Sequence, residues 1–248
     1  MQGEQIIGLQ LSDVTRAERE LLVGSFLSGL VSEKSTNYVV VNKTDAVVPF
    51  SNARQHKDNI LLRYGKIFKY GDLIVFDSDD FAELCTDLRK VITHESYGKK
   101  NWLFFYDELI KENHITNFDS IVLVLKPSQS AVPSAYQYVR AMVKAQSIVP
   151  LNIIVYGERY IEKAAEFFLT LKNDLIKVSG ESVPVNFAGF IFIPPGEKDL
   201  LIMFNTDIPR AFPKTSMHGQ IAYCVRKITV TDEALRTKSH VERLLALR

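Results

Sequence analysis

The sequence predicts a three-layer α/β fold, in which a mostly parallel sheet is covered by helices on both faces. Apolar, β-branched runs recur along the 248 residues, and segments with a helical repeat of apolar residues separate them. The runs contain little polar alternation, which is typical of strands that are buried on both faces. Strands that alternate with helices favour parallel pairing through right-handed crossovers.

Strands and helices alternate along most of the chain. The predicted strands are Gln5 to Leu9, Asn37 to Val41, Asp72 to Phe76, Asn101 to Tyr106, Ser120 to Leu125, Leu151 to Val155 and Ala188 to Ile193. The predicted helices are Thr15 to Ser32, Asp80 to Thr93, Ser134 to Gln146, Ile161 to Ser179 and His218 to Ile228. Residues 49–71 are polar and aromatic by turns, and they receive no assignment.

Local signals mark several of these boundaries. Ser12 or Asp13 is expected to cap the first helix, since short polar side chains accept hydrogen bonds from its first N–H groups. Pro127 ends the fifth strand, because proline has no N–H to donate to a sheet. Ser134 follows Pro133 and is expected to begin the third predicted helix, which has one apolar side.

The composition excludes several classes of protein. With 46% hydrophobic residues, 24% charged residues and a formal net charge of +1, the chain resembles an ordinary globular domain. No overall charge attracts nucleic acid or an anionic membrane, so such a contact would need a local patch. We expect one domain over residues 1–230, followed by a C-terminal tail over residues 231–248.

Cysteines, histidines and the N-terminus give further limits. Cys85 and Cys224 form no C-x-x-C motif, so we expect both thiols to be buried and reduced. The five histidines lack the close pairs that zinc sites use, and no metal is expected. Met1 to Glu4 do not begin a secretory signal, and no apolar run is long enough to span a membrane. The cytoplasm is therefore the expected compartment.

An aromatic strand beside two lysines raises the alternative of a nucleic-acid-binding scaffold. Lys99 and Lys100 precede Trp102, Phe104 and Phe105, and bases can stack on exposed aromatic rings. A basic turn that leads into a buried aromatic strand explains the same residues, and we favour that interpretation. Nucleic-acid binding stays the weaker alternative.

Three stretches in the second half of the chain resemble a known family. They are FDSIVLVLKPSQSAVPSAYQYVRAMVKA (residues 118–145), PLNIIVYGERYIEKAAEFFLTL followed by VNFAGFIFIPPG (residues 150–171 and 185–196), and RAFPKTSMHGQIAYCVRKI (residues 210–228). The first has an alanine-tyrosine pair, Ala135-Tyr136, in its helix, and the last has Pro213 and Ser216 at a late turn. These stretches are similar to the MinD/ParA family of deviant P-loop ATPases, above all its flagellar-number regulator (FlhG) branch. The first half matches the family by the order of its elements.

The resemblance implies a degenerate phosphate loop. In such a loop, glycines let backbone N–H groups converge on the phosphate, and a lysine neutralises its charge. The corresponding segment, Ser12 to Leu22, contains neither a glycine nor a lysine. Thr15 offers a hydroxyl for magnesium, but the lysine that it should follow is missing. Arg16 and Arg19 are cations, but two glutamates flank them.

Three further positions depart from the pattern of the family. Its second strand should deliver an aspartate pair, but only Asp45 is present. Asp107 matches the aspartate of a later strand, yet Leu109 and Ile110 replace the small residues that should follow it. Tyr156 stands where an asparagine should recognise adenine. The vestigial positions are Ser12, Asp13, Thr15, Arg16, Asp45, Asp107 and Tyr156, and the resemblance implies a pseudo-ATPase without a cofactor.

The resemblance also implies a role. We expect a non-catalytic binding or scaffold protein that helps to place or assemble a polar cell-surface machine, such as a flagellum or a pilus. Its partner would be a component of a motility or envelope machine, or an active ATPase of the same family. Relatives of the family form dimers across bound nucleotide. Because this chain lacks the residues that bind the nucleotide, no nucleotide-sandwich dimer is expected.

The alternative is an active enzyme. An ATPase or GTPase with an atypical phosphate loop would use Arg16 or Arg19 as its cation and Asp45 or Asp107 to hold magnesium. Arginine can bind phosphate through two parallel hydrogen bonds, so this chemistry is physically sound.

The C-terminal tail mixes basic and apolar residues. The candidate contact residues are Arg236, Val241, Arg243, Leu244, Leu245 and Arg248. Relatives of the family often attach to the membrane through a C-terminal amphipathic helix, which needs apolar area as well as cations. This tail has no large aromatic residue, so docking on its own domain or on a protein partner is favoured over membrane attachment. Attachment would place the protein at the inner membrane or the cell pole.

Overall fold

A computed structural model gives the fold over most of the chain. It describes residues 5–32, 38–45, 54–55, 65–70, 73–78, 81–92, 100–128, 131–179, 183–192, 220–221 and 223–224. The strands are β1 (Ile6–Gln10), β2 (Tyr38–Lys43), β3 (Arg54–Gln55), β4 (Gly65–Tyr70), β5 (Leu73–Ser78), β6 (Asn101–Tyr106), β7 (Ser120–Leu125), β8 (Leu151–Tyr156) and β9 (Val185–Ile191). The helices are α1 (Arg16–Ser32), α2 (Phe81–Ile92), α3 (Glu112–Ile115), α4 (Ala131–Lys144) and α5 (Ile161–Ser179).

The strands of the described residues form one sheet in the order β3-β4-β5-β2-β6-β1-β7-β8-β9. From β5 to β9 every neighbouring pair is parallel, whereas β4 pairs antiparallel with both β3 and β5. Strand β1 lies between β6 and β7 and is parallel to both. The carboxyl ends of these three strands therefore lie next to one another. The predicted mostly parallel sheet is therefore confirmed.

Helices cover both faces of the sheet. Successive side chains of each strand point to opposite faces, so each face has its own apolar side chains for helices to pack against. Along β1, Ile6 belongs to one buried apolar cluster, and Ile7 belongs to the other. The first cluster includes side chains from α2, α4 and α5, and the second includes side chains from α1 together with Ile221 and Cys224. This alternation confirms the three-layer arrangement.

Residues 49–71 contain the largest departure from the predicted elements. Within this segment the structure places β3 and β4, which extend the sheet by antiparallel pairing beyond β5. The sequence signal is Gly71-Asp72 between β4 and β5, since two residues of this type commonly connect the strands of a hairpin. The prediction missed β4 because its sequence, GKIFKY, mixes lysines with apolar residues at an outer position of the sheet.

The start of one helix differs from the prediction, and one short helix was not predicted. Helix α4 begins at Ala131 rather than at Ser134, so Pro133 lies within its first turn. Proline is accepted there because the first N–H groups of a helix have no acceptor inside the helix. Helix α3 was not predicted, since it has only four residues. The last predicted helix is described only at residues 220–221 and 223–224, which are helical.

A glycine lets strand β9 approach the last described helical residues. The register between β8 and β9 shifts between Ile153 and Ile154, and Gly189 has a φ of 143°. A Cβ atom on Gly189 would lie 2.8 Å from the Sγ atom of Cys224. Both the backbone conformation and the close contact therefore require glycine.

The cysteines behave as the sequence predicts. Cys85 and Cys224 are both buried and free of disulfide bonds. Burial raises the pKa of each thiol to about 12, so both are protonated and unreactive at neutral pH. No helix within the described part of the chain is long and apolar enough to cross a membrane.

Candidate functional site

The predicted site residues gather at one edge of the sheet. In a parallel sheet the carboxyl ends of the strands share an edge, and ligands of open α/β folds bind outside it. Asp45 lies after β2, Asp107 directly follows β6, Lys126 directly follows β7, and Tyr156 ends β8. The loop from β1 to α1, residues 11–15, lies among them.

The loop after β1 is held to the sheet by backbone and side-chain contacts. The N–H of Leu11 donates to the carbonyl of Tyr106 at 2.8 Å. The exposed Ser12 side chain contacts the Gln10 side chain through a hydrogen bond from Gln10 Nε2. Gln10 is buried, and its Oε1 atom has no hydrogen-bond partner among the described residues. Ser12 therefore interacts with its own strand.

Glu18 forms the centre of a buried ion-pair group. Its Oε2 atom accepts hydrogen bonds from Thr15 N at 2.9 Å, Thr15 Oγ1 at 2.8 Å and Lys126 Nζ at 2.7 Å. The Glu18 side chain is 7% exposed and that of Lys126 is 33% exposed. Thr15 precedes the first residue of α1, and Glu18 is the third, so the contact to Thr15 N is half of a capping box.

The same group includes Asp13 and Tyr156. Asp13 Oδ2 accepts a hydrogen bond from the backbone N–H of Lys126 at 2.9 Å. The Lys126 ammonium lies 5.6 Å from the centre of the Tyr156 ring. Burial, together with the nearby Glu18 carboxylate, raises the pKa of Tyr156 above its ordinary value, so the phenol stays protonated. We call Asp13, Thr15, Glu18, Lys126 and Tyr156 the Glu18 cluster.

The pKa of Glu18 shows how strongly this cluster favours the carboxylate. Burial raises the pKa, but the hydrogen bonds from Lys126 and from the backbone and hydroxyl of Thr15 outweigh it. The net result is a fall from 4.5 to about 2. Glu18 is therefore an anion throughout the physiological pH range.

Arg19 forms a second ion-pair group with two aspartates. Its Nε and Nη2 atoms donate to Asp45 Oδ1 at 2.8 Å and to Asp45 Oδ2 at 3.0 Å, which is a bidentate pair. Asp107 Oδ2 lies 3.6 Å from Arg19 Nε, and the N–H of Asp45 donates to Asp107 Oδ2 at 3.4 Å. Arg19 Nη1 also donates to the carbonyl of Val14 at 2.8 Å. We call Arg19, Asp45 and Asp107 the Arg19 cluster.

Two of the predicted vestigial positions belong to neither cluster: Ser12, which contacts Gln10, and Arg16. The Arg16 Nε atom lies 3.3 Å from Glu20 Oε1 along the exposed side of α1. The expected cap of α1 is also wrong. Thr15, rather than Ser12 or Asp13, precedes the helix, and Asp13 accepts a hydrogen bond from Lys126 instead. The tail residues Arg236, Val241, Arg243, Leu244, Leu245 and Arg248 lie outside the described residues.

The arrangement does not fit a nucleotide phosphate or its magnesium ion. An anion at the start of α1 would need the Thr15 and Lys126 donors, and the Glu18 carboxylate already accepts from them. A magnesium ion at Asp45 or Asp107 would have to compete with the Arg19 guanidinium. No group of three metal-ligating side chains is present among the residues that the structure describes.

Sequence reasoning missed the roles of Glu18 and Lys126. The spacing Thr15-x-x-Glu18 is a capping-box signal, and it was available in the sequence. Lys126 gave no such signal, because it is 108 residues from Glu18 and meets it only through the parallel sheet. Arg19 was considered as a cation for phosphate, but the structure shows that aspartates hold it.

Solved structures of MinD and ParA proteins are similar to this fold. The MinD cell division protein of Aquifex aeolicus gives a TM-score of 0.61 at 13% identity, covering 95% of this chain and 98% of that chain. A ParA family ATPase of Chlorobium tepidum TLS gives 0.61 at 12% identity, covering 90% and 98%. A chain of the MinC:MinD cell division protein complex of Aquifex aeolicus gives 0.59 at 12% identity, covering 95% and 97%.

These likenesses show the fold. The described part of the chain has the α/β architecture of these MinD and ParA structures, a P-loop NTPase-like sheet with helices on both faces. No family model matches the chain, and no curated protein matches it.

Proposed function

We propose that the protein is a non-catalytic pseudo-ATPase, a MinD/FlhG-like binding or scaffold protein that helps to place or assemble a polar cell-surface machine such as a flagellum or a pilus. The fold supports the general part of this proposal. The flagellar branch rests on the sequence stretches over residues 118–145, 150–171, 185–196 and 210–228.

One observation carries the non-catalytic part. Glu18 directs a buried carboxylate at the hydrogen-bond donors of the β1–α1 junction, where a P-loop protein would place a phosphate. A second anion at this point would lie beside the first at low solvent exposure, and like charges in such surroundings repel strongly. Nucleotide binding would therefore require Glu18 to leave Lys126 and Thr15.

A protein of this kind acts through its surfaces. Relatives pair across bound nucleotide, so we expect this protein to stay monomeric or to dimerise through another face. Its partner is a component of a motility or envelope machine, or an active ATPase of the same family. Binding to such a partner would bring it to the cell pole or to the inner membrane, and its C-terminal tail would reinforce that contact.

The first experiment is a calorimetric titration of the folded protein with ATP, ADP and GTP, each with magnesium. We expect no saturable heat at millimolar nucleotide, because the donors and the cation are engaged within the protein. Saturable micromolar binding would overturn the pseudo-ATPase and favour the active ATPase or GTPase. In that case a nucleotide-dependent dimer should form, and the variant Asp107→Ala should abolish it.

A second experiment tests the cellular role. The full chain, tagged and expressed in its own cells, is cross-linked and recovered, and the bound proteins are identified by mass spectrometry. We expect components of a flagellum, a pilus or another envelope machine. Recovery of no such component, compared with an unrelated tagged protein of equal abundance, would contradict the proposed role and leave the nucleotide result unaffected.

A further inference from the structure

A surface groove lies between α4 and the segment that follows β6. Residues 109–113, which include the start of α3, form one wall, and Gln137, Arg140 and Lys144 of α4 form the other. The groove has a volume of about 750 Å³. Ligand pockets commonly occupy about 300–1,000 Å³, so this groove is large enough for several residues of a peptide.

The floor of the groove is apolar and fixed. Ile110 and Ala141 line it and are 4% and 6% exposed. The Tyr138 hydroxyl accepts a long hydrogen bond from the N–H of Ile110 at 3.4 Å, which ties the segment after β6 to α4. Leu109 is 48% exposed at the rim. The groove therefore offers a firm apolar base and one exposed leucine for an apolar side chain.

The rim of the groove is basic. Lys111, Arg140 and Lys144 line it, against the single carboxylate of Glu112. Lys144 Nζ lies 2.8 Å from Glu112 Oε1, so this pair is neutral overall. Lys111 and Arg140 have no carboxylate within ion-pair distance among the described residues, although the whole chain has a formal charge of only +1. The groove therefore carries local positive charge, which attracts negatively charged groups.

We propose that this groove binds an acidic peptide segment of a partner protein, with an apolar side chain seated between Leu109 and Ala141. Carboxylates of the segment pair with Lys111 and Arg140. The amides of Asn113 and Gln137, which also line the groove, are suited to hydrogen bonds with its backbone. The inference deepens the proposed function and rests on the protein being a binding module, but it does not depend on the nucleotide site.

The test is a selection of random dodecapeptides, displayed on phage, against the full-length protein. The enriched peptides are synthesised with a fluorescent label, and their affinities are measured by fluorescence anisotropy. We expect enriched sequences with an excess of Asp and Glu around a Leu, Ile or Phe. Their affinity should fall at least tenfold in the double variant Lys111→Glu, Arg140→Glu.

The matched control is the double variant Arg159→Glu, Lys163→Glu. It makes the same change in net charge at two exposed positions near the start of α5, which lie outside the groove. Its affinity for the peptides should change less than twofold, and circular dichroism should show both variants folded. Equal losses in the two variants, enriched peptides without acidic excess, or no enrichment would each overturn the proposal.

A substitution in the apolar part separates a specific site from simple charge attraction. Leu109 is half-exposed, so Leu109→Ser should leave the fold intact and weaken peptide binding several-fold. Unchanged affinity in Leu109→Ser would contradict the seated apolar side chain. The calorimetric nucleotide titration is run on the same preparations, so a failure of either proposal is seen independently of the other.

Discussion

The Glu18 cluster and the Arg19 cluster lie side by side at the carboxyl edge of the sheet, but solvent reaches them differently. Glu18 has a side chain that is 7% exposed, and three hydrogen bonds converge on one of its oxygens. Asp45, which Arg19 holds in a bidentate pair, has a side chain that is 45% exposed. Adjacent residues of one helix therefore anchor a buried ion pair and an exposed one.

The difference in solvent exposure shows which of the two ion-pair groups can break more easily. A buried carboxylate cannot leave its donors without exposing an unpaired charge to low-dielectric surroundings. An exposed pair exchanges its partner for water at little cost. The Glu18 cluster therefore engages the donors of the β1–α1 junction within the protein, whereas the Arg19 cluster links loops that water already reaches.

The largest effect is expected from removing Glu18. The variant Glu18→Ala leaves Lys126 and the N–H of Thr15 without their acceptor, and it should lower the free energy of unfolding by about 2–3 kcal/mol. Urea denaturation followed by circular dichroism measures this loss. Glu20→Ala is the matched control, because Glu20 lies in the same helix and pairs with the exposed Arg16. Glu20→Ala should lower the free energy of unfolding by less than about 1 kcal/mol. Equal losses in the two variants would contradict the proposed difference between a buried and an exposed ion pair.

The second effect is a loss of stability in acid. The folded pKa of Glu18 is about 2, below the ordinary value of 4.5, so unfolding takes up a proton as the pH falls. The stabilisation is complete above pH 4.5 and is lost between pH 4.5 and pH 2. It amounts to on the order of 2 kcal/mol once solvent screening at the loop is allowed for.

Urea denaturation from pH 6 to pH 2 measures this window. The variant Glu18→Gln cannot titrate, so its stability should fall less steeply below pH 4.5 than that of the wild type. Glu20→Gln should keep the wild-type slope. If Glu18→Gln follows the wild-type curve, the carboxylate is not held as the structure indicates.

The smallest effect is expected from the Arg19 cluster. Arg19 lowers the pKa of Asp45, but this carboxylate is largely exposed, so Asp45→Ala should cost less than about 1 kcal/mol. Salt screens exposed charges, and this cost should shrink further at about 1 M sodium chloride. The cost of Glu18→Ala should change little in the same series. If the loss of unfolding free energy in Asp45→Ala does not depend on salt, the Arg19 cluster is not the exposed ion pair that the structure indicates.

Much of the fold could be predicted because its signals are local. Uninterrupted apolar runs such as Ser120 to Leu125 mark the central strands, and they match the buried strands of the sheet. Strand β4 was missed because an outer strand mixes polar and apolar residues, whereas its partner β5 was predicted as Asp72 to Phe76. The start of α4 was misplaced because proline suits the first turn of a helix as well as the position before it.

The candidate site was predicted in part. The missing glycines, the missing lysine and the aspartates Asp45 and Asp107 are features of the sequence alone. Which side chains neutralise one another is a property of the fold, because Glu18 and Lys126 are 108 residues apart and Arg19 and Asp45 are 26 apart. In the sequence Lys126 is only the residue that precedes Pro127, and the sheet places it beside the start of α1.

The sequence by itself determined the alternation of strands and helices, the parallel sheet and the absence of a glycine-rich loop, because these depend on the character and spacing of neighbouring residues. The tertiary structure alone decided that Glu18 accepts the donors of the β1–α1 junction and that a basic groove lies beside α4. The reason is geometric: a parallel sheet brings the carboxyl ends of distant strands to one edge, and charges act over ångströms of space regardless of their separation along the chain.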